Sequence, residues 1–415
     1  MDVKAIRRYS DLLVSTVIAE ADDIPSPFDY PNIRTKSFVS EKVYIIDVDK
    51  YEKKLLKPLL EDEGWGKKFT EEYIERSIRK ILLRTYKEGN KKKNSRAQKY
   101  FTELVNEVEN YSQKHIVYIP LANIQLRTDK LEIGDITLFN ITKEVFENIE
   151  KQVEKVVVNK QLLRQWLHDL QNNVCAEYYC TADADRAVER AIEECQRVLE
   201  LLRFAIHMMG QDHLRVTIGF LNEVFRYIQT IPALSQDGER LFLRNKTIGP
   251  LAPFILEQKT ISRMEEIGIF KVANILKQEV EEGSFHETLL RGIRWFSNAQ
   301  TQIIKENQFL NLMTCLETFL TTRATEKITQ AVARGVAIVL ETTQVGRISM
   351  QGRVTNLYNH RSSLSHGGRS AMLNTDLEEL RDITGNFLAR IIQIMDKLKT
   401  KKDLDDWIKT RELND

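Results

Sequence analysis

The chain has 415 residues, with 61 Lys+Arg against 60 Asp+Glu, a formal net charge of +1, 42% hydrophobic and 29% charged residues. That length allows two or three domains with a sizeable core, and that balance excludes a polycation, so any nucleic-acid contact must come from a local patch. With only 17 Gly and 8 Pro, the composition favours long helices over turn-rich sheets.

Residues 4–20 have helical periodicity, with Ile6, Leu12, Leu13, Val17 and Ile18 on one side. The Pro-containing stretch from Ile24 to Ile33 breaks it, and the β-branched run from Lys42 to Val48 predicts a strand. Residues 70–113 read as helical on both sides of a polar interruption, Lys87 to Lys99. Its cations, Lys91, Lys92, Lys93 and Arg96 among them, form either a solvated loop or a weak RNA-facing patch. No aromatics are interleaved, so a stacking platform for single strands is not indicated.

The stretches His115–Leu126 and Asp129–Thr142 run apolar or alternate at strand length, with turns near Thr128-Asp129 and Gly134-Asp135. Helices are expected from Lys143 and over residues 160–170. The longest helix of the middle is expected over Asp183–Met209, with Val188, Ile192, Cys195, Val198, Leu199, Leu202 and Ile206 as its stripe. Strands follow at His213–Leu221 and Arg240–Asn245. Cys175 and Cys180 are near neighbours, but no second pair at zinc spacing follows, and Cys195 and Cys315 stand alone. His207 and His213 have no carboxylate at metal spacing. These read as structural residues, with no metal and no cofactor. Without a signal peptide or long apolar run, the expectation is a cytoplasmic chain with reduced thiols and no membrane contact.

The C-terminal block begins at the capping box Ser284-Phe285-His286-Glu287. A helix burying Phe309, Leu312, Met313, Leu316, Phe319 and Leu320 follows. A second capping box, Thr375-Asp376-Leu377-Glu378, opens a last helix, and the charge-dense tail from Lys397 is expected to fray. Four apolar-striped helices with short connections make an antiparallel bundle. The fold class is α+β, mainly α. Its regions are a mostly helical 1–114, a mixed recognition or regulatory 115–283, a helical bundle 284–400 and a charged tail 401–415.

The chemistry concentrates in Leu357-Tyr358-Asn359-His360-Arg361-Ser362-Ser363-Leu364-Ser365-His366-Gly367-Gly368, the last turns of a helix that stops at a Gly pair. An always-charged guanidinium beside a group that titrates near neutrality suits phosphodiester chemistry. Positions five apart differ by about 140° on a regular helix, so Arg361 and His366 do not share a face, whereas Ser362 and His366 do. The bland alternative pairs Arg361 with a carboxylate and sets His366 on carbonyls at the helix end. Glu317, amid apolar residues, either has a partner or lies on an exposed polar side. His360 points elsewhere and receives no role. No phosphate-binding Gly loop, His-Glu-x-x-His or nucleophilic Ser elbow occurs, which argues against a nucleotide-driven motor, a zinc protease and an α/β-hydrolase.

Arg361-x4-His366 resembles the Arg-x4–6-His signature of the HEPN superfamily, a group of metal-independent ribonucleases. In family order, RWFSNAQTQIIKENQFLNLMTCLETFL (residues 294–320), ITQAVARGVAIVLE (328–341) and the Arg361 helix resemble its Apea-like branch. The resemblance covers roughly residues 285–400. The strands of 115–142 also resemble the β-rich region upstream of such domains. Many members place Asn, Asp or His after the Arg; here Ser362 stands there. The resemblance implies endonucleolytic cleavage of RNA by attack of the 2′-hydroxyl; which RNA is left open, with tRNA one candidate. His366 is then the acid or base, Arg361 the phosphate-binding group, Ser362 and Glu317 supporting residues. It further implies a homodimer with a composite site, and a toxin-like role in bacterial anti-phage defence set off by a phage-derived trigger or partner protein. The alternative is a non-catalytic HEPN module for dimerisation and RNA or nucleotide binding.

Overall fold

In the computed structural model, the described residues are 1, 3–15, 17–19, 43–45, 48–87, 92–111, 113–153, 160–211, 216–221, 223, 227–234, 241–248, 252–321, 327–365 and 373–413. The chain divides into two units, Met1–Val117 with Tyr179–Ala191, and Tyr118–Tyr178 with Ile192–Asp415. The class is α+β and mainly α. No helix among the described residues is long and apolar enough to cross a membrane.

In the first unit, α1 (Val3–Ser15) turns Ile6, Ser10 and Leu13 inward. The buried Ser10 hydroxyl donates to the Ile6 carbonyl at 2.7 Å, which satisfies it inside the helix. The helix is shorter than its periodicity predicts. Val17–Ala19 forms β1 instead, antiparallel to β2 (Val43–Ile45) with Val17 opposite Ile45, because β-branched residues favour the pleated state. The expected break at 24–33 lies outside the described residues. Short helices follow, α2 (Val48–Tyr51), a π-helical turn at Glu52–Leu56, α3 (Lys57–Glu61) and α4 (Glu63–Gly66). The Asp62 carboxylate caps α4 by accepting from the Gly64 N–H at 2.9 Å.

α5 (Glu71–Lys87) and α6 (Lys93–Glu109) complete this unit's core, where Phe101 packs with Leu13, Ile74, Ile78 and a stacked Trp65. The polar interruption expected over Lys87–Lys99 is therefore mostly helix: α5 holds Lys87 and α6 opens at Lys93. Its charged residues flank buried Ala97 and Phe101 at helical spacing.

The sheet of the second unit has the order β5-β6-β7-β3-β8. Its strands are β3 (Lys114–Ala122), β5 (Lys130–Ile133), β6 (Ile136–Asn140), β7 (Val174–Thr181) and β8 (Gly219–Phe220). β4 (Ile124–Leu126) instead pairs in parallel with β11 (Phe254–Leu256). Gly134, at φ 60°, turns β5 into β6. β7 has no counterpart in the sequence reading. Two helices, α7 (Lys143–Val153) and α8 (Lys160–Asn172), precede it, and α9 (Ala184–Met208) follows. Asp183 caps α9, its Oδ1 accepting from the N–H groups of Asp185 and Arg186 at 3.1 and 3.2 Å. Cys195, Val198, Leu199, Leu202 and Ile206 are buried as expected, but Val188 and Ile192 are exposed. His207 is buried against the Phe296 ring; His213 lies outside the described residues. β9 (Tyr227–Leu234) and β10 (Leu241–Ile248) form a separate antiparallel pair.

After α10 (Gln258–Glu266) and α11 (Ile269–Leu276) comes the helical block: α12 (Phe285–Thr301), α13 (Lys305–Leu320), α14 (Ile328–Leu340), α15 (Gln344–Ser365), α16 (Asn374–Ile394) and α17 (Lys401–Leu413). Ser284 caps α12 by accepting from the Glu287 N–H at 3.2 Å. Gly292 is where α12 and α13 approach closely, since a Cβ there would lie 2.3 Å from the Phe319 ring. α16 is capped two residues earlier than expected, at Leu373 and not Thr375: Asp376 accepts from the Leu373 N–H at 3.0 Å, and Thr375 is inside the helix.

Expected to fray, the tail is instead helical over Lys401–Leu413. Leu404 and Ile408 of α17 are buried. Arg334 of α14 reaches Glu412 at 3.0 Å, and the Lys401 ammonium donates to the Thr321 carbonyl at 2.9 Å. Many of its charges are matched within the helix, Lys409 lying 2.7 Å from Asp405.

Candidate functional site

Two helices set the site. α13 buries Phe309, Leu312, Met313, Leu316, Phe319 and Leu320, which leaves Glu317 half-buried at the border of that apolar face. α15 buries Met350, Val354, Leu357 and Tyr358, at i, i+4, i+7 and i+8. Arg361 lies one turn beyond Leu357 and Tyr358 on the same side of the helix, where burial gives way to exposure.

Two polar side chains, Tyr358 and Arg361, meet on the Glu317 carboxylate. Tyr358 donates its hydroxyl to Glu317 Oε1 at 2.5 Å. Arg361 Nε lies 3.3 Å from the same oxygen, and its Nη2 donates to Oε2 at 3.4 Å. The guanidinium carbon sits 5.5 Å from the Tyr358 ring centroid, inside cation–π range. Burial pushes the Tyr358 phenol up, the hydrogen bond to Glu317 and the charge of Glu317 push it further, and Arg361 opposes them. The phenol therefore keeps its proton at neutral pH and acts as a donor. An Arg–carboxylate pair with side chains 33% and 17% exposed adds on the order of 1 kcal/mol or less to stability. What it does is fix the fork: Nε and Nη2 face Glu317, and Nη1 makes no hydrogen bond among the described residues.

Beside this knot, α15 and the first turns of α16 bound an open groove of about 470 Å³. Arg353 Nε pairs with Glu379 Oε1, and His360 Nε2 lies 3.8 Å from Asp376 Oδ2. Buried Leu357 lines it, with Asn356 and Asn359 exposed on the α15 side.

Of the residues singled out in the sequence, the structure brings Arg361 and Glu317 together. Ser362 lies in α15, but its side chain is outside the description, and His366 lies outside the described residues. Lys91 does too. Lys92 precedes α6 at φ 63°, and Lys93 and Arg96 lie in its first turn, all in the first unit. His360, given no role, faces Asp376. Tyr358 carries no predicted role, although its position three residues before Arg361 marks the two as neighbours on a helix.

No group of three or more His, Cys, Asp or Glu suited to a metal occurs among the described residues. The four cysteines are free thiols. Burial raises Cys175 and Cys195 to about 12, so neither is a nucleophile near neutrality. Elsewhere in the second unit, Arg203 donates from Nε to the Ile218 carbonyl at 3.0 Å and from Nη1 to Ser297 Oγ at 3.2 Å. Buried Glu200 lies 3.5 Å from Arg294. Comparison with protein-family models, with curated proteins and with solved structures finds no match to this chain.

Proposed function

We propose that this chain is an Apea-like HEPN endoribonuclease that cuts RNA without a metal, in a toxin-like role within bacterial anti-phage defence. The reading rests on the resemblance of residues 285–400. The observation that carries it furthest is the Arg361 fork, gripped along one edge by Glu317 with Nη1 unengaged among the described residues. An arginine so held is pre-oriented to take a non-bridging phosphate oxygen, and it stabilises the extra negative charge as the 2′-hydroxyl attacks phosphorus. His366 supplies or accepts the proton. The adjacent 2′-hydroxyl is the nucleophile, so DNA is not cut.

Residues five apart on a regular helix diverge by about 140°. The proposed active unit is therefore a homodimer in which Arg361 of one copy and His366 of the other serve one phosphate. Sedimentation of the purified chain tests the dimer. Mixing Arg361→Ala with His366→Ala protein tests the sharing, because one intact site returns per heterodimer if it holds. A fully active monomer sinks the dimer, and a dead mixture of folded dimers sinks the sharing. For the activity itself, expression in cells with sequencing of new RNA ends gives a defined set of cuts that vanishes in His366→Ala.

A second reading is favoured by a specific observation: Arg361 already has a carboxylate partner and Tyr358 shares it, an arrangement that also suits a purely structural arginine. On that reading the chain is a non-catalytic HEPN module for dimerisation and for RNA or nucleotide binding. RNA bound but never cut by the purified wild type would select it.

A further inference from the structure

The groove between α15 and α16 is lined by His360, the residue before Arg361. We propose that it is a base-recognition subsite for one unstacked guanine, flanking the phosphate that Arg361 holds; for its RNA, though not for the binding itself, this rests on the ribonuclease reading. At about 470 Å³ the groove falls within the size range of small-molecule sites.

Charge argues against a phosphate there. Arg353 is matched by Glu379 of α16, and His360 lies 3.8 Å from Asp376 of the same helix. An anion would meet two acidic side chains with no surplus positive charge. A neutral, planar, donor-rich group meets something better. Arg353 and His360, seven residues apart on one side of α15, offer a guanidinium plane and an imidazole plane, the surfaces on which unstacked RNA bases are held. Leu357, 3% exposed, gives an apolar wall.

The hydrogen-bonding inventory selects the base. Glu379 uses Oε1 on Arg353, and Asp376 uses Oδ2 on the Leu373 N–H. Glu379 Oε2 and Asp376 Oδ1 make no hydrogen bond among the described residues, and each carboxylate oxygen has two lone pairs. A carboxylate is matched by two adjacent N–H donors. Among the four RNA bases, guanine alone presents them, N1–H beside the 2-amino group. Adenine and cytosine place a ring acceptor next to their amino group, and uracil flanks its one N–H with carbonyls, so each turns lone pairs toward the carboxylates. The exposed Asn356 amide can donate to guanine O6.

The test uses nucleosides, which lack the phosphate and so leave Arg361 out of the measurement. Titration calorimetry of the full chain should show saturable binding of guanosine. Inosine, which lacks the 2-amino group, should bind at least about fivefold more weakly, and adenosine more weakly still. Glu379→Gln should lose at least about fivefold for guanosine, and Asn356→Trp, which fills the groove from an exposed position, should abolish binding. His366→Ala should bind guanosine as the wild type does. Absent guanosine binding, equal affinity for the three nucleosides, or indifference to both groove substitutions overturns the subsite. A chain that binds guanosine but cuts no RNA keeps the subsite and removes the ribonuclease. Cleavage with no guanine bias beside the cut keeps the ribonuclease and removes the subsite.

Discussion

Two arginines of the second unit sit near carboxylates and are put to opposite uses. Arg203 is 4% exposed and serves the Ile218 carbonyl and the Ser297 hydroxyl. Burial lowers its basicity, with Glu223 and Glu200 opposing. Arg361 is only part-buried, binds a carboxylate along one edge and touches no backbone carbonyl among the described residues. The difference teaches where to look for chemistry. An arginine whose donors satisfy buried acceptors belongs to the fold, because removing it strands those acceptors. An arginine that is itself a third exposed, and whose partner is a side-chain carboxylate, can take on a ligand at little cost in stability.

The largest effect expected from this contrast is on activity. Arg361→Ala and His366→Ala should each lower RNA cleavage by about 10²–10⁴-fold, while Arg361→Ala changes the denaturant midpoint by no more than about 1 kcal/mol equivalent. Cleavage assays beside urea melts check both halves, and an Arg361→Ala chain that unfolds would make Arg361 a second Arg203. The converse substitution, Arg203→Ala, should destabilise the protein by about 2–4 kcal/mol, because it opens a buried cavity and strands the Ile218 carbonyl. A urea midpoint unchanged from wild type would contradict that.

These predictions also mark how far the sequence could be read. Helices with one apolar stripe were legible: α12, α13 and α16 follow from their periodicity and the Ser284 cap, whereas α14 came only with the resemblance, and the four helices expected are five from α12 to α16. β7 was not, because a strand between β6 and β3 is covered on both edges and its run Val174-Cys175-Ala176-Glu177-Tyr178 does not alternate. The tail misled for the opposite reason: α17 buries only Leu404 and Ile408 while its charges pair locally, so composition hid a docked helix. At the site, Arg361 was legible as chemistry. The grip of Glu317 on it was one of two options, because an acid amid apolar residues reads alike whether it is paired or exposed. Asp376 and Glu379 were legible only as the first turn of a helix; their pairing with His360 and Arg353 is tertiary.

A smaller effect separates the two carboxylates. Burial raises the Glu200 pKa, with Arg294 the first of the charges opposing it. A carboxyl with a raised folded pKa favours the fold below its unfolded pKa of about 4.3. That contribution is lost as pH rises through the higher folded value. Wild type should therefore lose stability relative to Glu200→Gln as pH rises from about 4 toward 7, read from urea midpoints of both proteins. A constant difference across that range would show that Arg294 fully compensates the burial. The smallest effect belongs to Tyr358→Phe. It removes one donor from Glu317 but leaves the Arg361 pair, and should reduce cleavage by about tenfold or less with a stability loss of roughly 1 kcal/mol.

The central claim, that Arg361 and His366 make this chain a metal-independent ribonuclease, meets its most direct test in one reaction. Purified protein is incubated with tRNA in excess EDTA, and the fragment ends are identified by mass spectrometry. The account predicts cleavage by wild type that leaves 2′,3′-cyclic phosphate or 3′-phosphate ends, and none by Arg361→Ala or His366→Ala. Cleavage that requires added magnesium and leaves 5′-phosphates, or that survives in both folded variants, would contradict it.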